Sequence, residues 1–417
     1  MNIKLRLIAM NFMQFFIWGA WLLTVGKYCS NTMHWTFSQF GAIFGTMGIS
    51  AVFMPALMGI VADRLISAQK LYGTLHIFAA VLLCYLPQIN NPVTFFWAML
   101  VNMFFYMPTL SLSITVSYNS LKKYNIDDVV KAFPPIRTWG TIGFIVALWL
   151  VSLTKNENSA NQFYIAGAVS FLLGVYSFSL PDCPPLGKSM RSKSFADALG
   201  LSAFKLFKNK RFAVFFLFSM LLGAALQLTN AYGDTFLGDF GKDYPDSFMV
   251  THSAVVMSIS QISETLFILA IPFFLKKFGI KYVMLMSMVA WVLRFGLFAY
   301  GNPGDNFWMI ILSCIVYGMA FDFFNISGSL FIETQTHETI RASAQGLFMM
   351  MVNGFGAIIG SFTSGVLIDK YFILSNGDKD WKGIWIMFAL YALVLSIVFP
   401  VVFKNKHEQG TLESFHH

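Results

Sequence analysis

Residues 307–331 read FWMIILSCIVYGMAFDFFNISGSLF, and Asp322 is the one charged side chain in this run. A helix that crosses a membrane needs about 20 consecutive, mostly apolar residues, so the run predicts a membrane-spanning helix. A charge near the bilayer centre costs at least about 2.5–3.5 kcal/mol, and such residues usually face a protein-lined cavity. Asp322 therefore indicates a functional pathway inside the membrane.

The composition of the whole chain is that of a membrane protein. Of its 417 residues, 57% are hydrophobic and 12% are charged, and the mean hydropathy is +0.64. Soluble domains carry about 25% charged residues. We therefore expect an all-α protein embedded in a lipid bilayer.

The hydrophobic pattern predicts twelve membrane-spanning helices in two sets of six. The N-terminal set is 5–28, 39–62, 71–90, 93–117, 134–154 and 161–181. The C-terminal set is 211–232, 252–275, 281–300, 307–331, 343–368 and 383–403. An earlier start of the fifth and eleventh helices would place Arg137 and Arg341 deeper in the membrane. The first span lies where a signal peptide would, but Asn11 and Trp18 interrupt its apolar run and no convincing cleavage site follows.

Lysine and arginine are divided unequally between alternating loops. Twenty lie at the termini and in the loops that lead from an even-numbered predicted helix to the next odd-numbered one. Arg137 and Arg294, which lie inside or at the border of spans, are not counted. The opposite side holds six, which are Lys27, Lys155, Lys242, Lys370, Lys379 and Lys382. Because cytoplasmic loops carry the excess of positive charge, both termini are predicted to face the cytoplasm. The same bias explains the net charge of +8, so no nucleic-acid partner is expected.

The sequence carries no recognisable apparatus for catalysis. Its four cysteines form no CxxC pair and its seven histidines do not cluster, so neither a disulfide framework nor a zinc site is expected. HExxH, Walker A and nucleophile-elbow motifs do not occur. We predict that the protein is not an enzyme and uses no metal or cofactor.

A basic segment separates the two sets of helices. Pro181, Pro184 and Pro185 end the sixth helix, and several lysines and arginines follow. Its 194–207 stretch is either a short amphipathic helix on the membrane surface or a solvated tether. The predicted organisation is an N-terminal six-helix bundle at 1–181, a cytoplasmic linker at 182–210, a C-terminal bundle at 211–403 and a cytoplasmic tail at 404–417.

Basic, glycine-bearing turns recur at matching places in the two sets. Helix five begins Ile136-Arg-Thr-Trp-Gly140, and helix eleven begins Ile340-Arg-Ala-Ser-Ala-Gln-Gly346. Such weak repeats indicate a 6+6 transporter that works by alternating access, with its substrate site at the interface of the halves.

Gly59, Asp63 and Arg64 form a G-x-x-x-D-R string at the end of helix two. The string resembles a loop signature of the major facilitator superfamily. That resemblance implies a gating role for Asp63 and Arg64 at the cytoplasmic side, and an ordinary ion pair beside the membrane is the alternative.

Small polar or aromatic sets share single faces of four predicted helices, because residues three or four apart lie on one side of a helix. They are Arg137, Thr141 and Phe144 in helix five, Gln227 and Asn230 in helix seven, Gln261 and Glu264 in helix eight, and Tyr317 and Phe321 in helix ten. Such sets fit a ligand with a flat apolar face and several hydrogen-bonding groups.

Each set also has a structural alternative. Gln and Asn often join membrane helices, aromatic side chains usually pack, and Arg137 at a headgroup boundary can snorkel. Glu264 and Asp322 lie too far from the helix ends for snorkelling, so we interpret both as functional. A carboxylate that alternates between dry and wet surroundings takes up a proton on one side and releases it on the other, with Arg137 or Arg294 as its candidate counter-charge.

Six further strings resemble the nucleoside:proton symporter family of the major facilitator superfamily. They are Phe133–Phe144, Phe218–Gly223, Gln227–Asn230, Met257–Ile268, Tyr317–Ser329 and Ile340–Gly346. The resemblance extends from about residue 3 to residue 403. It implies the two-bundle fold of that superfamily and the import of purine and pyrimidine nucleosides, together with protons, across a bacterial inner membrane.

The resemblance also implies roles for the polar sets. Hydrogen bonds to the sugar or base fall to Gln227, Asn230, Gln261 and Glu264, ring contacts fall to Phe144, Tyr317 and Phe321, and Arg137 and Thr141 complete the substrate-binding set. Asp322 matches the essential acid of the family, so Asp322 and Glu264 are the proton-coupling candidates. The chain departs from some members at Ala225, where they carry an acid, and this leaves the preferred base open.

Two other functions stay open at this point. A carrier of another polar metabolite, such as a sugar or nucleobase, also fits the polar faces, and a membrane sensor without flux fits the pattern of spans. We expect a monomer in either case.

Overall fold

The structure, a computed structural model, describes residues 2–126, 128–185 and 201–403. Within them the regular elements are helices, apart from one isolated bridge between Ile373 and Lys379, so the predicted all-α class is confirmed. The chain divides into two compact units, Met1–Leu199 and Gly200–His417. Residues 186–200 of the predicted linker, which include the first half of the 194–207 stretch, and the predicted tail lie outside the described residues. The second half of the stretch belongs to a 3-10 helix, Leu201–Lys208. The predicted domain boundaries stay a prediction.

Twelve long helices make up the described part of the two units. In the first unit they are α1 Ile3–Gly19, α2 Phe37–Arg64, α3 Ala68–Tyr85, α4 Pro92–Lys123, α5 Val129–Leu153 and α6 Asn161–Ser177. In the second they are α7 Lys210–Asp239, α8 Ile259–Tyr300, α9 Phe307–Gln335, α10 Glu338–Met349, α11 Ala357–Tyr371 and α12 Trp381–Val402. A π-helical segment, Met350–Gly356, joins α10 to α11.

Nine helical runs in the described part of the chain are long and apolar enough to cross a membrane. One of them, Ser253–Tyr300, holds two arms that meet at Gly279, where φ is 75°. Glycine takes this left-handed backbone without a steric penalty. Two further helices, α1 and α6, have 17 residues each. With the arms counted separately, these elements correspond to the twelve predicted spans.

Some helix ends differ from the predicted ones. The first span was predicted to run to residue 28, but α1 ends at Gly19 and turns lead into Val25–Lys27 and the π-helical Tyr28–Thr32. α5 begins at Val129, ahead of the predicted start, because the Asp128 side chain caps it by accepting from the Lys131 amide at 2.9 Å. Arg137 therefore lies in the third turn of α5.

Close backbone approach joins α1 to α5 in the first unit. A Cβ atom at Gly143 would overlap the backbone oxygen of Phe12, and one at Gly19 would overlap the backbone oxygen of Phe144. Gly143 lies on α5 and Gly19 lies on α1, so the two helices are in close backbone contact at two points along their length. The contact fixes the height of Phe144 relative to α1.

A buried hydrogen-bond network centred on Gln14 joins α1 to α3 and α4. The Gln14 amide nitrogen donates to Thr109 at 2.9 Å, and its oxygen accepts from the Tyr72 hydroxyl at 2.6 Å and lies 2.9 Å from His76 Nε2. The Tyr106 hydroxyl donates to the Gln14 backbone oxygen at 2.8 Å. The amide that interrupts the apolar run of α1 is therefore satisfied inside the unit, as membrane burial requires.

Polar contacts also hold both ends of the first unit. The buried side chains of Lys27 and Glu157 form an ion pair, and Ser152 donates to Glu157. At the other end, Gln69 donates to Asp182 at 2.6 Å, and this hydrogen bond lowers the pKa of the Asp182 carboxyl. The chain leaving α6 is thereby tied to the start of α3.

The second unit is built around the pairing of α8 with α9. A Cβ at Gly318 of α9 would lie 2.6 Å from the backbone oxygen of Ser263 in α8. Hydroxyls of α8 bond across the same contact: Ser263 donates to the Ile315 carbonyl and Ser287 donates to the Ala320 carbonyl. α7 meets the π-helical segment in a similar way, because a Cβ at Gly223 would overlap the backbone oxygen of Val352.

We expect Gly143→Ala to destabilise the protein. The added methyl group overlaps the Phe12 backbone, which has no side-chain rotamer to adjust, and overpacking of this kind costs about 1–3 kcal/mol. Gly296→Ala in α8 is the matched control, because no atom lies within 4 Å of a Cβ there. Thermal unfolding of the purified protein in detergent is the measurement, and equal unfolding temperatures for the two variants would contradict the proposed helix contact.

Candidate functional site

Three of the predicted site residues lie in consecutive turns of α9. Tyr317 and Asp322 are buried, each 4% exposed, and Phe321 is half-buried. The rings of Tyr317 and Phe321 are nearly parallel, with centroids 5.9 Å apart and planes 9° apart. One carboxylate oxygen of Asp322, Oδ2, has no hydrogen-bond partner among the described residues. An aromatic pair and an acid therefore share one buried region of the second unit.

α8 brings a second acid to this region. The missing side chain at Gly318 lets the backbone of Ser263 and Glu264 approach α9 closely. The Glu264 carboxylate is near enough to interact electrostatically with both Asp322 and Tyr317. The structure thus brings the two intramembrane acids together, as their shared role in the sequence-based hypothesis requires.

Gln261 lies one turn before Glu264 on the same arm of α8. It is half-buried, and its Oε1 atom is buried without a hydrogen-bond partner in the described part of the chain. A buried acceptor left unpaired costs about 1–3 kcal/mol. A hydrogen bond from a ligand hydroxyl or amine to Gln261 Oε1 would remove that cost. An amide oxygen that is open in this way is suited to binding a ligand.

The two candidates on α7, Gln227 and Asn230, flank Thr229. Gln227 is buried at 8% exposed and Asn230 is half-buried. Thr229 accepts a hydrogen bond from Arg294 Nε at 3.0 Å, and the Arg294 guanidinium carbon lies 4.6 Å from the Tyr317 ring centroid. α7 is therefore connected to the aromatic pair through Arg294.

Arg137, Thr141 and Phe144 follow one another along α5 of the first unit. Arg137 is half-buried, and its guanidinium carbon lies 3.7 Å from the centroid of the Phe15 ring. Gly140 leaves room for both groups, because a Cβ there would be 2.6 Å from the Phe15 ring and 2.8 Å from Arg137 Nη1. Sequence periodicity predicted that Arg137 shares a helix face with Thr141 and Phe144, but it gave no sign of the contact with Phe15.

Asp63 and Arg64 form the last turn of α2. Asp63 is exposed and Arg64 is half-buried. They belong to the first unit, whereas Glu264 and Asp322 belong to α8 and α9 of the second. The assignment of a gating role to this pair stays a prediction.

Several residues around the aromatic pair were not predicted. Trp291 of α8 meets Tyr317 edge-on, with ring centroids 5.9 Å apart and planes 89° apart. A small cavity beside Phe321 is lined by Leu222, Leu226, Trp291, Ala320, Phe324, Asn325 and Val352. A tryptophan in an apolar helix is ordinarily read as packing, so only the fold could identify Trp291 as a neighbour of the site.

The described residues contain no group of three or more His, Cys, Asp or Glu side chains arranged to hold a metal ion. The polar groups that converge are instead carboxylates, amides, a guanidinium and aromatic rings. Groups of these kinds can bind and orient an uncharged polar ligand and can exchange protons.

Comparison with known proteins agrees with this chemistry. The family model described as Nucleoside H+ symporter matches residues 1–408. The xanthosine permease of Escherichia coli K12 is 51% identical over 411 residues, which cover 98% of this chain and 97% of the permease. The nucleoside permease NupG of the same organism is 51% identical over 410 residues, with the same coverage of both chains.

A solved structure shows the same relationship. The crystal structure of the nucleoside transporter NupG matches this chain with a TM-score of 0.91 and 51% identity, over 97% of this chain and 100% of the other.

The fold and the match define a multi-pass membrane transporter with the major facilitator superfamily fold. The chain belongs to the nucleoside H+ symporter family. The predictions of fold, transport function and absence of enzymatic activity are confirmed by this membership, and the alternatives of a carrier for another metabolite and of a membrane sensor are set aside.

Proposed function

We propose that this protein imports purine and pyrimidine nucleosides together with protons by alternating access, across the inner membrane of a bacterium. The observation that carries the proposal is the convergence of Glu264 and Asp322 beside the parallel rings of Tyr317 and Phe321. The family of the chain and the names of its relatives support nucleosides as the substrate class.

A nucleoside matches the chemistry of the second unit. Its base offers a flat π face to Tyr317 and Phe321, and parallel aromatic stacking contributes about 0.5–1.5 kcal/mol beyond the buried area. Its ribose hydroxyls are donors, and Glu264 and the unpartnered Gln261 oxygen are acceptors. Gln227 and Asn230 on α7 supply amides that both donate and accept, and so tolerate different bases.

The first unit supplies a second set of binding groups in this proposal. Arg137 and Thr141 donate hydrogen bonds to carbonyl or hydroxyl groups of the substrate, and Phe144 contacts a ring. The stacking of Arg137 on Phe15 holds the guanidinium in one orientation, which limits the conformational freedom lost on binding.

Proton coupling is assigned to the two acids. Like charges close together in a dry site disfavour the doubly ionised state, so Glu264 and Asp322 hold a proton when water is excluded and release one when the region is wet. Asp322 is the coupling residue and Glu264 the substrate contact.

Asp63 and Arg64 act as a gate at the cytoplasmic side of the membrane. Both termini lie on that side. The protein works as a monomer.

The first test is of coupled transport. Addition of uridine or adenosine to lightly buffered, de-energised cells that express the protein should make the medium transiently alkaline, because protons enter with the substrate. A pH electrode records the change, and cells without the protein are the control. Nucleoside uptake without any proton movement would refute the coupling.

The second test separates the roles of the two acids. Asp322→Asn should abolish concentrative uptake and spare nucleoside exchange, because the amide cannot carry a proton. Glu264→Gln should weaken nucleoside binding about 10- to 100-fold, since a hydrogen bond to a charged group contributes about 1.5–3 kcal/mol. Uptake, counterflow in proteoliposomes and calorimetric binding are the measurements.

Asp305→Asn is the matched control for the second test, because Asp305 is an exposed acid in the loop between α8 and α9. It should leave uptake, exchange and binding unchanged. Normal accumulation of substrate by both the Asp322→Asn and Glu264→Gln proteins would show that neither acid has the role proposed for it.

A further inference from the structure

Arg294 is a buried cation without an acidic partner. It lies in the second arm of α8 with no exposed surface, and no carboxylate within the described residues is at ion-pair distance from its guanidinium. Burial of an ion without a counter-ion has an effective cost of several kcal/mol. A neutral side chain would join these helices at lower cost, so the charge itself has a use.

The contacts of Arg294 hold its guanidinium at a fixed position. Nε donates to Thr229 of α7 at 3.0 Å, and Nη1 donates to the Ser313 backbone oxygen of α9 at 2.7 Å and to Ser260 of α8 at 3.3 Å. Ser313 returns a hydrogen bond to the Arg294 backbone oxygen at 2.8 Å. Three helices of the second unit therefore determine where the positive charge lies.

That charge faces aromatic rings. The guanidinium carbon is 4.6 Å from the Tyr317 centroid and 5.0 Å from the Phe298 centroid. The attraction between a cation and a ring face is strongest when both are removed from water. Trp291 meets the Tyr317 ring edge-on and Phe321 lies parallel to it, so the cation completes a set of neighbours that restricts the ring to one orientation.

We infer that Arg294 is a positioning residue that holds the Tyr317 ring in the orientation required to stack on the nucleobase. The inference rests on the proposed function, because it needs Tyr317 to contact substrate. Arg294 itself does not touch the substrate in this account. Its side chain acts through Tyr317, and its hydrogen bond to Thr229 keeps α7, with Gln227 and Asn230, in register with the ring.

A double-mutant cycle tests this role. Uridine binding to the purified protein is measured by calorimetry for Arg294→Met, Tyr317→Leu and the double variant. Each single substitution should weaken binding about tenfold. The double variant should bind no more than about twofold more weakly than Tyr317→Leu alone, because residues that act through one contact are not additive.

Phe298→Leu provides the matched control. Phe298 is the other ring beside the Arg294 guanidinium, and it packs on Phe236 and Trp385 instead of on the aromatic pair. Arg294→Met should weaken uridine binding by the same factor with and without Phe298→Leu. A purely structural role of Arg294 would instead give equal losses in the Tyr317→Leu background and the unsubstituted background, and this result would overturn the inference.

Thr229→Val covers the case in which Arg294→Met fails to fold. The substitution keeps the shape of the side chain and removes the acceptor for Arg294 Nε, and its effect should also vanish in the Tyr317→Leu background. Absence of uridine binding by the unsubstituted protein, or unchanged binding in Tyr317→Leu, would contradict the proposed function. A working site in which the losses are additive would contradict only the role of Arg294.

Discussion

The close contact of α8 with α9 at Gly318 is the constraint on which the site of the second unit depends. A side chain there would meet the backbone of Ser263 and Glu264, and any relief would move the two helices apart. At this separation Glu264 and Asp322 interact electrostatically. In hydrocarbon there is no hydrophobic force to press helices together, so small residues and hydroxyl-to-carbonyl bonds determine how close they come. The absence of a side chain at Gly318 therefore allows α8 to bring Glu264 close to α9, which carries Asp322.

The first unit uses the same principle for a different purpose. Gly19 and Gly143 let α1 and α5 interlock at two levels, and Gly140 leaves the space in which Arg137 stacks on Phe15. A glycine destabilises a helix by roughly 1 kcal/mol relative to alanine. Its repeated use in the contact between α1 and α5 indicates that the close approach of the helices stabilises the protein by more than that. Backbone geometry thus positions the candidate binding groups of α5.

The sequence was sufficient for the helices and for the faces of the helices that carry polar groups. Length and hydropathy identify a membrane helix, and residues three or four apart share a face whatever the surroundings, so the helix faces that carry Tyr317, Phe321 and Glu264 could be predicted. The partners of those residues could not. Contacts such as Arg137 with Phe15 or Arg294 with Tyr317 depend on the rotation of one helix against another, which sequence periodicity does not record.

Buried polar atoms in this protein fall into two kinds, and the difference bears on function. Both polar atoms of the Gln14 side chain have partners in the first unit, so this residue serves the fold alone. Gln261 Oε1 and Asp322 Oδ2 lack partners within the described residues. An unpartnered atom does not by itself mark a site, because Asn102 Oδ1 of α4 is in the same condition. What distinguishes Gln261 and Asp322 is their convergence with a second acid and a parallel aromatic pair. A ligand that stacks on the rings and donates to the open oxygens would satisfy the ring face and the acceptors at once, and this joint requirement is the proposed basis of selectivity in the second unit.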